Sequence, residues 1–143
     1  MPEAVATVGE NAFYNCTSLA SVTLSKKLKS LEQETFRGCN VLVKVAIPED
    51  ALLETIGESV FYECELLQQI TLPESLSFIG TSAFSQCTSL PKINIPDAVN
   101  TIGKSAFYNC SSLAKVDIGV GLISIGESAF YSCEALTQLI IPE

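Results

Sequence analysis

Six cysteines recur at nearly constant intervals along the 143-residue chain, and this spacing constrains the fold more than any other feature. Successive cysteines are separated by 23, 25, 23, 23 and 23 residues, and they are Cys16, Cys39, Cys64, Cys87, Cys110 and Cys133. Each has a Phe three positions before it and a Leu three positions after it. Because three residue types recur together in every copy, we interpret the chain as a stack of similar units of about 23 residues.

Each unit contains a segment typical of a β-strand. Apolar and polar residues alternate in this segment, as in Leu90–Ile95, which is the period of a half-buried strand. Proline follows the segment in most repeats and ends it, because proline has no backbone N–H to donate. A second extended piece, exemplified by Ile102, is followed in all repeats but one by a glycine such as Gly103, which we expect to permit a sharp turn.

These patterns predict one solenoid over residues 1–143, built from six repeats. We expect a right-handed stack with a parallel β-sheet on one face and short turns, 3-10 or helical, on the other. The serines placed to cap these turns are Ser59, Ser82, Ser105 and Ser128. The single interval of 25 residues places two extra residues within Glu49–Leu52, where a bulge is predicted.

The order of residues within the repeat resembles that of the BspA-type leucine-rich repeat. The copy from Ile125 to Pro142 carries the Ile-Gly, Ala-Phe, Cys and Leu positions of that repeat at the same spacing, and the likeness extends over essentially the whole chain. The resemblance implies a curved solenoid with a parallel sheet, without the asparagine ladder of other leucine-rich repeats. It also implies a surface protein, in some members an adhesin that binds host proteins, and hence a cell-surface or secreted location. The sequence from Met1 to Val5 lacks the features of a signal peptide.

Composition excludes several classes of function. The chain has no histidine, which removes the usual proton shuttle near neutral pH and the commonest metal ligand. Its net charge of −8 disfavours nucleic acid and anionic membranes, and it has no apolar run long enough to span a bilayer. Since no phosphate-binding loop or zinc-protease motif interrupts the repeat, we expect neither an enzyme nor a cofactor.

The cysteine column has two interpretations that the sequence leaves open. The favoured one is a buried ladder of free thiols that act as small apolar side chains. Disulfides between neighbouring repeats are the alternative, because positions about 5 Å apart fall within the range that a disulfide spans. A metal site is disfavoured, since each repeat offers one thiol and no imidazole.

The outward positions of the strands are the first candidate for a partner-binding surface. They are variable, polar and mildly basic in an acidic protein, and the candidate residues are Lys44, Gln69, Lys92, Asn94, Lys115 and Asp117. We hold two interpretations of equal weight: a surface that binds another protein, and a solvated sheet face on which lysine discourages aggregation.

The position two residues before each cysteine is the second candidate. It carries Tyr62, Tyr108 and Tyr131, which stacking of the repeats would place on one flank as a stripe. Tyrosine is common among the residues that dominate protein interfaces. The alternative is that each tyrosine only covers the neighbouring phenylalanine.

The similar register of the two chain ends predicts a piece of a longer array, with head-to-tail self-association as a further expectation. Taken together, the sequence favours a non-catalytic protein-interaction module that binds through the strand face. The alternative is a structural spacer or assembly element.

Overall fold

The computed structural model of the chain describes residues 1–142 and consists of short parallel β-strands joined by turns. Over these residues there are eleven strands of two to four residues and no helix. In chain order they are β1 (Ser21–Thr23), β2 (Ser30–Leu31), β3 (Lys44–Ala46), β4 (Thr55–Ile56), β5 (Gln69–Ile70), β6 (Phe78–Ile79), β7 (Lys92–Ile95), β8 (Thr101–Ile102), β9 (Lys115–Ile118), β10 (Ser124–Ile125) and β11 (Gln138–Ile140). The predicted repeat solenoid with parallel strands is confirmed.

Alternate strands along the chain enter two separate columns. The even-numbered strands, β2 to β10, form one five-stranded parallel sheet, which we call the continuous column. The odd-numbered strands form the second column, which consists of a sheet of β1, β3 and β5 and a sheet of β7, β9 and β11. Equivalent repeat positions are register partners, as for Val22, Val45 and Ile70. The spacing of the cysteines therefore also gives the spacing of the strand partners.

The two longest strands show why the period-2 segments form strands. In β7, Ile93 and Ile95 are buried whereas Lys92 and Asn94 are exposed, so alternate side chains enter the core. The inward positions of β9 are buried in the same way. Because each strand can bury only one face, stacked repeats cover one another's apolar side chains in a common core.

A stack of phenylalanines runs through the centre of this core. Neighbouring rings stack with centroids 5.2 to 5.6 Å apart from Phe13 to Phe130, and the four inner rings are fully buried. Four of the five ring pairs are parallel within 5°, and the Phe61–Phe84 pair is inclined by 24°. Burial of one large apolar side chain stabilises a fold by roughly 1.5–3 kcal/mol. Repetition of this contact accounts for the strict recurrence of phenylalanine in the sequence.

The four serines predicted to cap turns take a different role. Ser59, Ser82, Ser105 and Ser128 have φ angles of 53° to 57°, in the left-handed region, and they precede turns that are not helical. An N-cap residue has extended backbone angles, so the capping prediction is wrong. The left-handed angle instead directs each amide along the stack. The Ser82 N–H, for example, donates to the carbonyl of Lys104 in the next repeat at 2.9 Å.

The recurrent glycine also has a different cause from the one predicted. Gly103 does not have a positive φ, and so a sharp turn does not explain it. A Cβ atom added at Gly103 would lie 2.5 Å from the carbonyl carbon of Gly80, and one added at Gly80 would lie 2.6 Å from that of Gly57. Glycine is therefore required because the backbones of neighbouring repeats approach too closely to leave room for a side chain.

The two extra residues of the long repeat lie at the surface. Glu49 and Asp50 form an exposed turn, and the side chain of Leu52 is 51% exposed. Leu53 is buried at the position that Leu28 and Leu76 occupy in the neighbouring repeats. The core column thus continues past the insertion, which projects outward.

Candidate functional site

The outward side chains of the odd-numbered strands line one shallow depression. All six strand-face candidates contribute to it, and we call this surface the strand-face groove: Lys44, Gln69, Lys92, Asn94, Lys115 and Asp117. Its volume is about 740 Å³, and it extends across β3, β5, β7 and β9. Residues that are 23 to 25 positions apart in the sequence meet there because register pairing places them on adjacent strands.

The charges within the groove are unequally compensated. The ammonium group of Lys115 lies 2.9 Å from a carboxylate oxygen of Asp117. Among the described residues, Lys44 and Lys92 make no such ion pair. Lys92 and Lys115 are register partners, so the Lys115–Asp117 pair also lowers the repulsion between adjacent lysines. The uncompensated positive charge of the groove therefore lies at Lys44 and Lys92.

The groove lies over a break in the strand column. Elsewhere the residue four positions after each cysteine donates its N–H to the preceding repeat: Val43 to Ala20 at 2.8 Å, Gln68 to Val43 at 2.9 Å, and Ala114 to Pro91 at 2.9 Å. Pro91 occupies this position between β5 and β7 and has no N–H to donate. In residues 1–142, the Gln68 carbonyl accepts no backbone hydrogen bond, and β5 and β7 do not pair.

The tyrosines form two clusters that lie outside the groove. Tyr108 and Tyr131 stack on each other with ring centroids 5.3 Å apart. The guanidinium group of Arg37 lies 4.7 Å from the ring centroid of Tyr62 and 5.8 Å from that of Tyr14, and it pairs with Glu34 at 2.6 Å. These contacts form a second cluster around Arg37.

Ser85 separates the two clusters. It occupies the tyrosine position of its repeat, but it is buried. The amide group of Gln86 fills part of this gap by donating a hydrogen bond to the hydroxyl of Tyr62 at 2.8 Å. The predicted tyrosine stripe is thus two separate patches, and neither joins the strand-face residues.

The cysteines form the predicted column and are unpaired. From Cys39 onward each thiol donates to the carbonyl of a phenylalanine in the preceding repeat, at 3.1 to 3.3 Å, as Cys87 does to Phe61. Burial raises the pKa of the Cys39 thiol from 9.0 to about 11, and it raises the pKa values of Cys64 and Cys87 further. These protonated thiols act as core side chains and as donors to the backbone, which favours the buried-ladder interpretation over disulfides.

Two further features of the described chain concern metals and membranes. Residues 1–142 contain no cluster of three or more cysteine, aspartate or glutamate side chains arranged to hold a metal ion. They also contain no helix that is long and apolar enough to cross a bilayer.

The break at Pro91 was not predicted from the sequence. The sequence did contain an indication of this break, because a proline within an alternating apolar segment cannot donate a hydrogen bond to a neighbouring strand. Equivalent positions in the other repeats carry Ala20, Val43, Gln68, Ala114 and Thr137, so Pro91 is the exception in its column. The Arg37 cluster was also only partly foreseen, since Tyr14 was not among the predicted site residues.

Comparison with known proteins supports the same repeat architecture. Residues 1–76 and 42–143 match a family model described as the BspA type leucine-rich repeat region, in six copies. Comparison with curated proteins finds no match.

Three solved structures are similar to the chain. A leucine-rich repeat protein from T. pallidum is 31% identical with a TM-score of 0.78, and the match covers 90% of this chain and 70% of that one. A leucine-rich repeat protein from Bacteroides ovatus is 30% identical with a TM-score of 0.85, and the match covers 92% of this chain and 34% of the other. A leucine-rich cell surface protein from Faecalibacterium prausnitzii is 31% identical with a TM-score of 0.82, over 94% of this chain and 36% of that one. The chain thus spans about a third of the length of the latter two proteins.

Proposed function

Because this chain belongs to the BspA-type leucine-rich repeat family, we propose that it is a non-catalytic interaction module that binds a partner protein through the strand-face groove. One observation carries the proposal: the six outward residues singled out from the sequence line a single depression of about 740 Å³. Variable polar side chains gathered in one depression can recognise a partner without disturbing the buried positions of the repeat.

The chemistry of the groove favours binding over catalysis. Its lining is mainly lysine, amide and aliphatic side chains, and its charged pair joins Lys115 to Asp117 at 2.9 Å. Covalent catalysis requires a nucleophile beside a base, and a lysine–aspartate ion pair supplies neither in an activated form. Variable polar side chains on a rigid sheet are, in contrast, suited to recognising a second protein surface.

A role at the cell surface is part of the proposal. The similar chain from Faecalibacterium prausnitzii is described as a leucine rich cell surface protein, and it shares 31% identity over 94% of this chain. An adhesin-like role, in which the module binds host proteins, would be consistent with that location.

The proposal can be tested with immobilised extracellular-matrix proteins. Reversing the charge of the groove with Lys44→Glu and Lys92→Glu should weaken binding by roughly tenfold or more, because two favourable charge contacts become repulsive. Surface plasmon resonance against a panel of matrix proteins would measure the effect, and circular dichroism would verify that the variant is folded.

The chain offers a matched control for this change. Lys27 and Lys29 are exposed, lie outside the groove and make no ion pair among the described residues, so Lys27→Glu with Lys29→Glu gives the same net charge. This control should retain binding. Equal loss in both variants would indicate a general charge effect, and unchanged binding by the groove variant would contradict the assignment of the groove.

A further inference from the structure

The groove differs sharply in charge from the rest of the protein. Its three lysines and one aspartate give it a formal charge of +2. The remaining five cationic and fifteen acidic residues sum to −10, which together account for the net charge of −8. An anionic group at contact distance is therefore attracted to the groove and repelled by most of the remaining surface.

The same contrast selects a particular kind of anion. Charges beyond about 8 Å are largely screened at physiological salt, so a short acidic segment experiences mainly the groove. A long polyanion such as a nucleic acid would extend over the acidic surface as well and be repelled by it. The carboxylates of a short peptide segment fit this field better than a polyphosphate backbone does.

We propose that the strand-face groove binds an extended acidic peptide segment of a partner protein, whose carboxylates pair with Lys44 and Lys92. This inference rests on the proposed function and specifies the chemistry of the partner. Lys44 and Lys92 are separated by β5, hence by two strand spacings or about 9.6 Å. A peptide in the polyproline II conformation rises about 3.1 Å per residue with three residues per turn. Carboxylates three residues apart therefore share one face and lie about 9.3 Å apart, which matches the two lysines.

A synthetic peptide with this spacing provides the test. The probe is acetyl-Glu-Thr-Ala-Glu-Thr-Ala-Glu-amide, with the corresponding Gln peptide as its uncharged control, titrated into the isotopically labelled chain. The Glu peptide should shift the backbone amide signals of Gln69 and Lys92, and it should half-saturate at a concentration at least about tenfold lower than the Gln peptide does. Equal affinity for the two peptides, or shifts confined to the tyrosine clusters, would overturn the proposal.

Variants of the two lysines test the charge contribution. Lys44→Gln with Lys92→Gln should weaken binding of the Glu peptide roughly threefold to tenfold, whereas Lys27→Gln with Lys29→Gln should not. Equal loss in the two variants, or unchanged affinity in the groove variant, would refute the pairing of the carboxylates with the groove lysines.

The failure of the acidic-segment inference can be distinguished from the failure of the proposed function. If the matrix-protein assay shows groove-dependent binding but the Glu and Gln peptides bind alike, the acidic-segment inference is wrong and the interaction module stands. If charge reversal in the groove leaves matrix binding unchanged while the Glu peptide binds there, the adhesin-type proposal fails and the groove's preference for acidic segments stands.

Discussion

The two strand columns of this solenoid are built from the same repeat but differ in continuity. The continuous column pairs without interruption from β2 to β10, and from Gly57 to Gly126 its recurrent glycines lie too close to the preceding repeat to leave room for a side chain. The odd-numbered column is split between β5 and β7, where Pro91 removes a hydrogen bond, and it carries the groove. The continuous column therefore fixes the spacing of the repeats. The odd-numbered column can vary in sequence and in hydrogen bonding while the repeats remain stacked.

The largest predicted effect comes from disrupting the continuous column. Gly103→Ala would place a Cβ atom 2.5 Å from the backbone of Gly80, so neighbouring repeats must separate. We expect the free energy of unfolding to fall by about 3 kcal/mol, the upper part of the range for overpacking. Urea denaturation followed by circular dichroism would measure it.

Gly9→Ala is the matched control, because a Cβ atom added at Gly9 meets nothing within 4 Å. It should be neutral or stabilise the protein by up to roughly 1 kcal/mol, since alanine restricts the unfolded chain. Equal destabilisation by the two substitutions would show that close backbone approach is not the reason for the glycine column.

An intermediate effect concerns the thiols in the core between the columns. Burial raises the pKa of Cys39 to about 11, and those of Cys64 and Cys87 are raised further above the ordinary 9.0. Above pH 9.0 the unfolded state loses these protons while the folded state keeps them, so the unfolded state binds fewer protons and stability falls as pH rises. For Cys39 the loss develops between pH 9.0 and about 11.

We expect a loss of about 1 kcal/mol per buried thiol by roughly pH 10. Urea unfolding at about pH 8, 9 and 10 would reveal the slope. Cys87→Ala removes one titrating thiol and should make the slope shallower, although the variant begins from a lower stability. If this variant and the native chain showed the same slope, the buried thiols would not be its cause.

The smallest effect is expected from repairing the broken column. Pro91→Ala supplies an N–H for the Gln68 carbonyl, a net gain of roughly 0.5–1.5 kcal/mol, but it also frees the unfolded chain at a cost of about 0.4–1 kcal/mol. The expected change in the free energy of unfolding thus lies between a loss of about 0.5 and a gain of about 1 kcal/mol. Hydrogen exchange should show protection at the new amide, and fast exchange there would mean that the break has another cause.

Most of the fold could be predicted because each position of the repeat packs against the same position in the neighbouring repeats. Phe84 recurs as Phe61 and Phe107, so a single column of rings follows from the sequence alone. The reasons for Gly103 and Ser105 were misjudged, because close backbone approach and left-handed turns appear only when two repeats are placed together. The strand-face residues were grouped correctly from register, whereas the tyrosine stripe was not, since Ser85 turns inward.

The sequence by itself determined the register, the strands and the core columns, because a constant period forces like residues to stack. Only the tertiary structure decided which charged side chains remain without an ion pair and which backbone groups remain without a hydrogen bond. Asp117 neutralises Lys115 but leaves Lys44 and Lys92 unpaired in the described chain, and Pro91 leaves the Gln68 carbonyl open. Such pairings depend on distances of a few ångströms between side chains and between neighbouring repeats, which a one-dimensional period does not specify.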